Sequence, residues 1–299
     1  MKIKYLKHNE INKNLWDDKI NHALNGTVYA MSWYLDIVSP NWEALVTDDY
    51  KFLMPLPVKS KYGFRYLTQP ALSQQLGVFS DLEITEEILQ EFINKIPYKF
   101  YRLQFNSGNY FEQNPESLRP NYLLSLQKFY KEIFAGYNQN CKRNIKKAQS
   151  FSQTVYTDLK TSEFWDFIQQ HLNFMPPKGF MPILKSLLNK LDKENFAEIW
   201  SVRENNTNEI YAAVLLVKWE NKVYYLMPSS SDKGKKSQAM VLLLNEFIEQ
   251  NSETNIILDF EGSSISGVER FYKSFGAIPE FYPVIYYNGL GFPFNKIIK

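Results

Sequence analysis

The sequence predicts an α/β fold of mixed α+β sheets, used twice in tandem. Three observations lead there. The chain has 299 residues, enough for two domains of ordinary size, each with its own core. Its hydrophobic pattern changes repeatedly between period-two runs and helical stripes. The element order of the first half also returns in the second. NWEALV, YKFLMPLPV, RYLTQ, a loop, EEILQEFINKI and KFYRLQF match AEIWSV, IYAAVLLVK, KVYYLM, a loop, MVLLLNEFIEQ and NIILDF. Three strands, a loop, a helix and a strand, twice over, is the pattern of an internal structural repeat. The expected domains are residues 1–129 and 130–299, with the boundary between Leu126 and Tyr137 and no low-complexity linker.

Taken in order, Trp16 to Leu24 and Ala30 to Val38 predict helices. Asn41 to Thr47 and Tyr50 to Lys59 predict strands, because apolar runs flank the turn signal Asp48-Asp49. Tyr62-Gly63-Phe64 marks another turn, and Arg65 to Ala71 continues as a strand. Thr85 is placed to cap a helix with Glu86 and Glu87 in its first turn and Ile88, Leu89, Phe92, Ile93 and Ile96 inward. Tyr98 to Phe105 and Tyr122 to Leu126 read as strands. Tyr130 to Ser150 predicts one long helix, with Phe134, Tyr137, Cys141, Ile145 and Ala148 on one face. Lys142, Arg143, Lys146 and Lys147 fall on the other. A short strand at Gln153 to Tyr156 precedes a helix from Ser162 to Leu172, broken at Met175-Pro176-Pro177-Lys178-Gly179. Pro182 suits the first turn of the next helix. Phe196 to Arg203, Ile210 to Trp219 and Lys222 to Pro228 are three strands joined by tight turns. A loop, Ser229 to Ser237, leads into a helix from Gln238, a strand from Thr254 to Phe260, and a helix opened by a Ser266-x-x-Glu269 capping box and closed by Gly276.

Composition excludes several classes. Lys+Arg 34 against Asp+Glu 32 leaves a net charge of +2, which argues against a general nucleic-acid-binding surface and against DNA as a partner. One cysteine, Cys141, excludes an internal disulfide framework and fits a reducing compartment. The polar start MKIKYLKHNEINKN has no apolar signal region, and the longest apolar runs, such as Ala212 to Val217, are too short to span a bilayer. The expectation is a soluble cytoplasmic protein. His8, His22 and His171 lack metal-ligand spacing, so no metal is expected. Cys141 sits on an apolar helix face and reads as buried and structural.

Chemistry-bearing residues gather in the last third. In the loop Ser229 to Ser237, Gly234 permits a positive φ and Ser237 is placed to cap the following helix. Open amides and the helix dipole favour an anion there, and Lys233, Lys235 and Lys236 add charge. The residues alone read more readily as a solvated lysine loop than as a phosphate or pyrophosphate site. Its counterpart, Leu72 to Gly77, has no lysine, so only the second half is expected to hold an anionic carrier there. Asp259 and Glu261, at a strand's C-terminal end, are placed to take a proton from an attacking amine, or simply to satisfy amides of the Gly262-Ser263-Ser264 turn. Lys142 and Arg143, with Lys146 and Lys147, could meet a phosphorylated or acidic substrate; the plain alternative is a solvated helix face.

This order of elements resembles the acyl-CoA-binding half of the GNAT superfamily of N-acyltransferases. The loop Ser231-Asp232-Lys233-Gly234-Lys235-Lys236-Ser237-Gln238-Ala239 keeps Gly234 and the cationic character of that superfamily's Arg/Gln-x-x-Gly-x-Gly/Ala signature. Phe271-Tyr272-Lys273-Ser274-Phe275-Gly276-Ala277 follows its Phe/Leu-Tyr-x-x-x-Gly-Phe pattern except at Ala277. The chain also looks like the Fem-like branch, peptidoglycan aminoacyltransferases built from two GNAT-type folds. Asn140 to Ala148 is similar to that branch's basic helix, and Arg270 to Gly276 to its Phe-Lys-x-x-Phe-Gly ending, with Tyr272 inserted before the lysine. The resemblance implies a tandem pair of GNAT-type folds moving an acyl group from acyl-CoA to an amine acceptor. It implies that Lys233 to Ser237 hold the carrier and that Tyr272 protonates the departing thiolate; packing is the alternative role for that ring. A second reading is aminoacyl transfer from aminoacyl-tRNA to a peptidoglycan or other cell-wall precursor, which the basic helix supports and the near-neutral charge opposes. A third is a non-catalytic, ligand-binding tandem fold.

Overall fold

The computed structural model describes residues 1–61, 63–112, 117–172, 174–262 and 265–291. Tyr62 of one expected turn, and Ser263 and Ser264 of another, lie outside the described residues. The chain divides into two compact units: Met1–Pro120 together with the segment beginning at Phe281, and Asn121–Glu280.

The first unit opens with β1 (Ile3–Leu6), α1 (Lys13–His22) and α2 (Ser32–Val38). There follow β2 (Glu43–Thr47), β3 (Phe52–Leu56), β4 (Val58–Lys61), β5 (Phe64–Thr68), β6 (Phe79–Ser80), α3 (Glu86–Asn94) and β7 (Phe100–Gln104). Antiparallel pairing orders one sheet β1-β2-β3-β6. The strand expected from Tyr50 to Lys59 is divided in two at Pro57, because proline has no N–H to give a ladder. Its second piece, β4, pairs antiparallel with β5, and β5 lies parallel to β7. Leu45, Met54, Leu67, Leu89, Phe92, Leu103 and Phe105 form the core.

The chain enters the second unit within β8 (Leu118–Ser125). It continues through α4 (Tyr130–Ala135), α5 (Gln139–Gln149), β9 (Gln153–Tyr156), α6 (Thr161–His171), α7 (Phe180–Glu194), β10 (Ala197–Glu204), β11 (Ile210–Trp219) and β12 (Lys222–Ser230). Then come α8 (Asp232–Lys236), α9 (Ala239–Gln250), β13 (Ile257–Asp259), α10 (Ser266–Ser274) and β14 (Ile278–Asn288). The strands β9, β10, β11 and β12 pair antiparallel in sequence order, β12 is parallel to β13, and β13 is antiparallel to β8. Both units thus place an antiparallel pair before a parallel one, with a loop and a helix between the parallel strands.

Three expectations are corrected. The helix expected from Tyr130 to Ser150 is two helices, because the turn Gly136-Tyr137-Asn138 intervenes and the Asn138 side chain caps α5 by accepting from the Cys141 amide at 2.8 Å. Ser266 is the first residue of α10 and does not cap it; Ile265 holds the cap position, with no side-chain hydrogen bond. The division also differs from a single break at 129/130. After β14 begins, the chain returns to the first unit, where Val284 to Asn288 pair antiparallel with Phe100 to Gln104 of β7. The β-branched and aromatic run FYPVIYY supplies that strand's propensity.

Candidate active site

The site is built where β12 and β13 part. Their parallel pairing covers three registered pairs, Lys222 with Ile257, Val223 with Leu258 and Tyr224 with Asp259. Beyond Tyr224, β12 runs on to Ser230, and no further β13 partner is found among the described residues. Against β11 the register shifts between Leu215 and Leu216, which face Met227 and Tyr225, so Leu226 is the extra residue of a β-bulge. A bulge bends its strand and turns backbone groups away from the ladder. Past the bulge, β12 runs on from Met227 to Ser230 beyond its last β13 partner.

All three expected catalytic side chains meet there. Asp259 ends β13, is buried, and accepts from the Asn121 side chain at 3.1 Å and from the Glu261 amide at 2.8 Å. Burial raises its carboxyl to about 6, against the partial relief of Lys222 and those two hydrogen bonds. Glu261 is half-buried and turns the chain with a left-handed φ of 59°. Tyr272, on α10, is buried against Phe260, with ring centroids 4.9 Å apart in a stacked arrangement, and lies edge-on to Tyr225 at 6.2 Å. Burial, and then the charges of Glu261 and Asp259, push its phenol well above 10. The ring is thus packed against aromatic neighbours and lies close enough to two carboxylates to feel their charge.

Sequence reasoning missed the groups around it. Tyr122 of β8 approaches Tyr272 at 6.0 Å, and the Lys273 ammonium sits 5.6 Å from the Tyr122 ring centre while pairing with Glu269 at 2.6 Å. The Glu269–Lys273 spacing on α10 is a helical i,i+4 pair and was legible; Tyr122 arrives from β8, and nothing local in the sequence joins them.

The lysine-bearing loop is arranged differently from the expectation. Its residues 232–236 form the short helix α8, capped by Ser231, whose oxygen accepts from the Gly234 amide at 3.1 Å. Gly234 has no positive φ; it is required because a Cβ there would collide with the Tyr211 carbonyl of β11. Ser237 does not cap α9. It is buried, and its hydroxyl donates to the Gln153 side chain at 2.8 Å while the Gln153 amide donates back to the Ser237 carbonyl at 3.1 Å. Gln238 holds the cap position of α9, Ala239 is buried, and the Val241 amide already bonds Gln238. Lys233 pairs with Glu209 at 2.6 Å and Lys235 with Asp232 at 3.1 Å, while Lys236 is exposed. A diphosphate needs open amides at a helix start; here Gln153 bonds the hydroxyl and carbonyl of Ser237 just before α9, and two of the three lysines are matched by carboxylates. The loop therefore offers an anion less free charge than its three lysines suggest.

A cavity of about 340 Å³ lies nearby between α5, α9 and α10, lined by Asn140, Asn144, Val241, Gly267, Arg270 and Phe271 among others. The expected basic residues lie on α5 but are not among those lining the cavity, which α5 borders through Asn140, Cys141 and Asn144. Lys142 donates to the Ala135 carbonyl at 3.0 Å and lies over the Phe134 ring, Arg143 donates to Asn140 at 2.6 Å, and Lys146 and Lys147 are exposed. Cys141 is buried beneath, with burial raising its thiol to about 11. Among the described residues no group of three or more His, Cys, Asp or Glu could hold a metal ion, and no helix is long and apolar enough to cross a membrane.

No family model and no curated protein sequence matches the chain. Solved structures do. FemX is similar over 100% of this chain and 100% of its own, at 10% identity and a TM-score of 0.68. A tandem GNAT protein from the clavulanic acid biosynthesis pathway is similar over 95% of this chain and 98% of its own, at 9% identity and a TM-score of 0.51. The likeness is one of fold, and with the mixed sheets and the parted β12–β13 pair it establishes that the chain has a GNAT-like, Fem-related fold.

Proposed function

We propose that the chain is an N-acyltransferase that joins an acyl group to an amine, and that its donor is an aminoacyl ester of tRNA. The observation that carries the proposal is the convergence of Asp259, Glu261 and Tyr272 at the parting of β12 and β13. A carboxylate takes the proton as the amine attacks the carbonyl and the C–N bond forms. Amides of β12 beyond the bulge hold the carbonyl oxygen as it becomes negative. The C–O bond then breaks, and Tyr272 gives its proton to the departing ribose oxygen.

The state of Tyr272 supports an ester over a thioester. A thiolate, with a conjugate acid near ~8.5, leaves without help, and a phenol pushed above its ordinary ~10 is a poor source of protons for it. An alkoxide is far more basic and accepts that proton readily. The carboxylate partners of Lys233 and Lys235 and the full-length likeness to FemX support the same choice. In this reading the cavity between α5, α9 and α10 receives the end of the carrier, and Lys146 and Lys147 meet its phosphates. Acyl-CoA remains the competing donor because the second structural relative is a tandem GNAT protein.

Calorimetry separates them. An aminoacylated RNA minihelix should give saturable heat, and coenzyme A should give none at concentrations up to about 1 mM. Saturable coenzyme A binding with no response to the minihelix would reverse the assignment.

A further inference from the structure

We propose that the first unit carries a second binding site, for a small molecule bearing a phosphate or carboxylate group, in the cavity around Arg65. The cavity has a volume of about 560 Å³, and Lys7, Lys59 and Arg65 line it against a single carboxylate, Glu43. It is built wholly from residues of the first unit, and it contains none of the acyl-transfer residues.

The carboxylate is already committed. Glu43 lies on β2 with its side chain buried, and it accepts hydrogen bonds from the Tyr5 hydroxyl at 2.5 Å, from the Tyr98 hydroxyl and from the Arg65 guanidinium. Burial alone would raise Glu43, but these three donors outweigh it and hold the carboxyl below its ordinary range. Glu43 therefore stays charged, fixed by two tyrosines, and acts as an anchor for the arginine.

Arg65 is thereby oriented. One edge of its guanidinium is spent on Glu43, its plane lies over the Tyr98 ring with the central carbon 5.5 Å from the ring centre, and about half of the side chain remains exposed. A guanidinium held from behind in this way loses little freedom on binding, and its outer N–H groups match phosphate or carboxylate oxygens in pairs. Neither Lys7 nor Lys59 has a carboxylate within ion-pair distance of its ammonium among the described residues, although the Lys7 backbone amide donates to the Glu10 carboxylate at 2.7 Å. His8, Asn9, Asn41 and Ser60 add polar groups to the lining, and Val58 adds an apolar one. The volume exceeds that of a bare ion and falls in the range of small-ligand sites, roughly 300–1,000 Å³. A phosphorylated or polycarboxylated metabolite suits both the charge and the space.

The test is calorimetric titration of the full chain with pyrophosphate and, separately, with citrate. Saturable binding of either supports the site, and the preferred probe assigns the phosphoryl or carboxylate class. A Lys7→Ala/Lys59→Ala double variant, altered at exposed positions, should keep its melting temperature and lose at least about tenfold in affinity. Arg65→Lys keeps the charge, loses the fork, and should lose a similar factor. A Lys235→Ala/Lys236→Ala variant should bind as the wild type does. The proposal is overturned if neither probe binds saturably below about 10 mM, if the double variant binds like the wild type, or if affinity is lost instead in the Lys235/Lys236 variant.

Discussion

Tyr272→Phe removes one oxygen from a ring packed against Phe260 and Tyr225. The ring stays, so thermal stability should change by less than about 1 kcal/mol. Turnover should fall by roughly 10²-fold with donor affinity nearly unchanged, because the lost proton transfer belongs to the transition state alone. A turnover equal to wild type would leave the ring with packing only. Asp259 yields a pH test. Its folded carboxyl stands at about 6 against an ordinary 3.8. The native state therefore holds a proton that the unfolded chain has released, and this group's contribution to stability declines as pH rises from about 4 to about 6, then levels. Denaturant melts should show Asp259→Asn gaining on wild type across that window. If Asp259 is the base, the wild-type rate climbs through pH of about 6, and the variant loses that limb. Gly234 illustrates what a sequence conceals. A glycine beside lysines invited a reading of backbone freedom, whereas the need is for space against Tyr211. Gly234→Ala should cost roughly 2–4 kcal/mol, measured by urea unfolding, since both backbones must shift.

At the scale of elements, periodicity was a good guide to which face is buried and a poor guide to where an element stops. Cys141, Ile145 and Ala148 are buried as one stripe, yet the helix they belong to starts only after Asn138. The turn at Gly136 keeps the apolar residues roughly in phase, so counting by 3.6 passes through it unchanged. The lysine loop looks like open chain in the sequence, because a five-residue helix with a glycine at its centre has no periodicity to detect. The hydrogen bonds between Gln153 and Ser237 join residues 84 positions apart in sequence. The outer face of α5 remains as the sequence drew it, with Lys146 and Lys147 exposed. Lys146→Ala/Lys147→Ala should leave stability within about 0.5 kcal/mol. It should weaken minihelix binding and lower the salt slope by up to about 2, since each phosphate contact contributes close to one.

For the whole molecule, the mixed α/β class and the strand–loop–helix–strand order were legible because they rest on local patterns that succeed one another along the chain. The return of β14 to β7 was not, since strand partners far apart in sequence leave no periodic trace in either strand. The Glu43 cluster shares that limitation, as Tyr5, Glu43, Arg65 and Tyr98 come from separate elements. The central claim, transfer of an acyl group from an ester carrier to an amine, is tested most directly by the product. The protein would be incubated with charged tRNA bearing a labelled amino acid and with amine-containing peptide precursors of the cell wall, and in parallel with acetyl-CoA and the same amines. Mass spectrometry would then look for a new amide. The account predicts a labelled amide that requires charged tRNA, depends on Tyr272, and is absent from the acetyl-CoA reaction. An acetylated product with thiol release, and no tRNA-dependent amide, would contradict it.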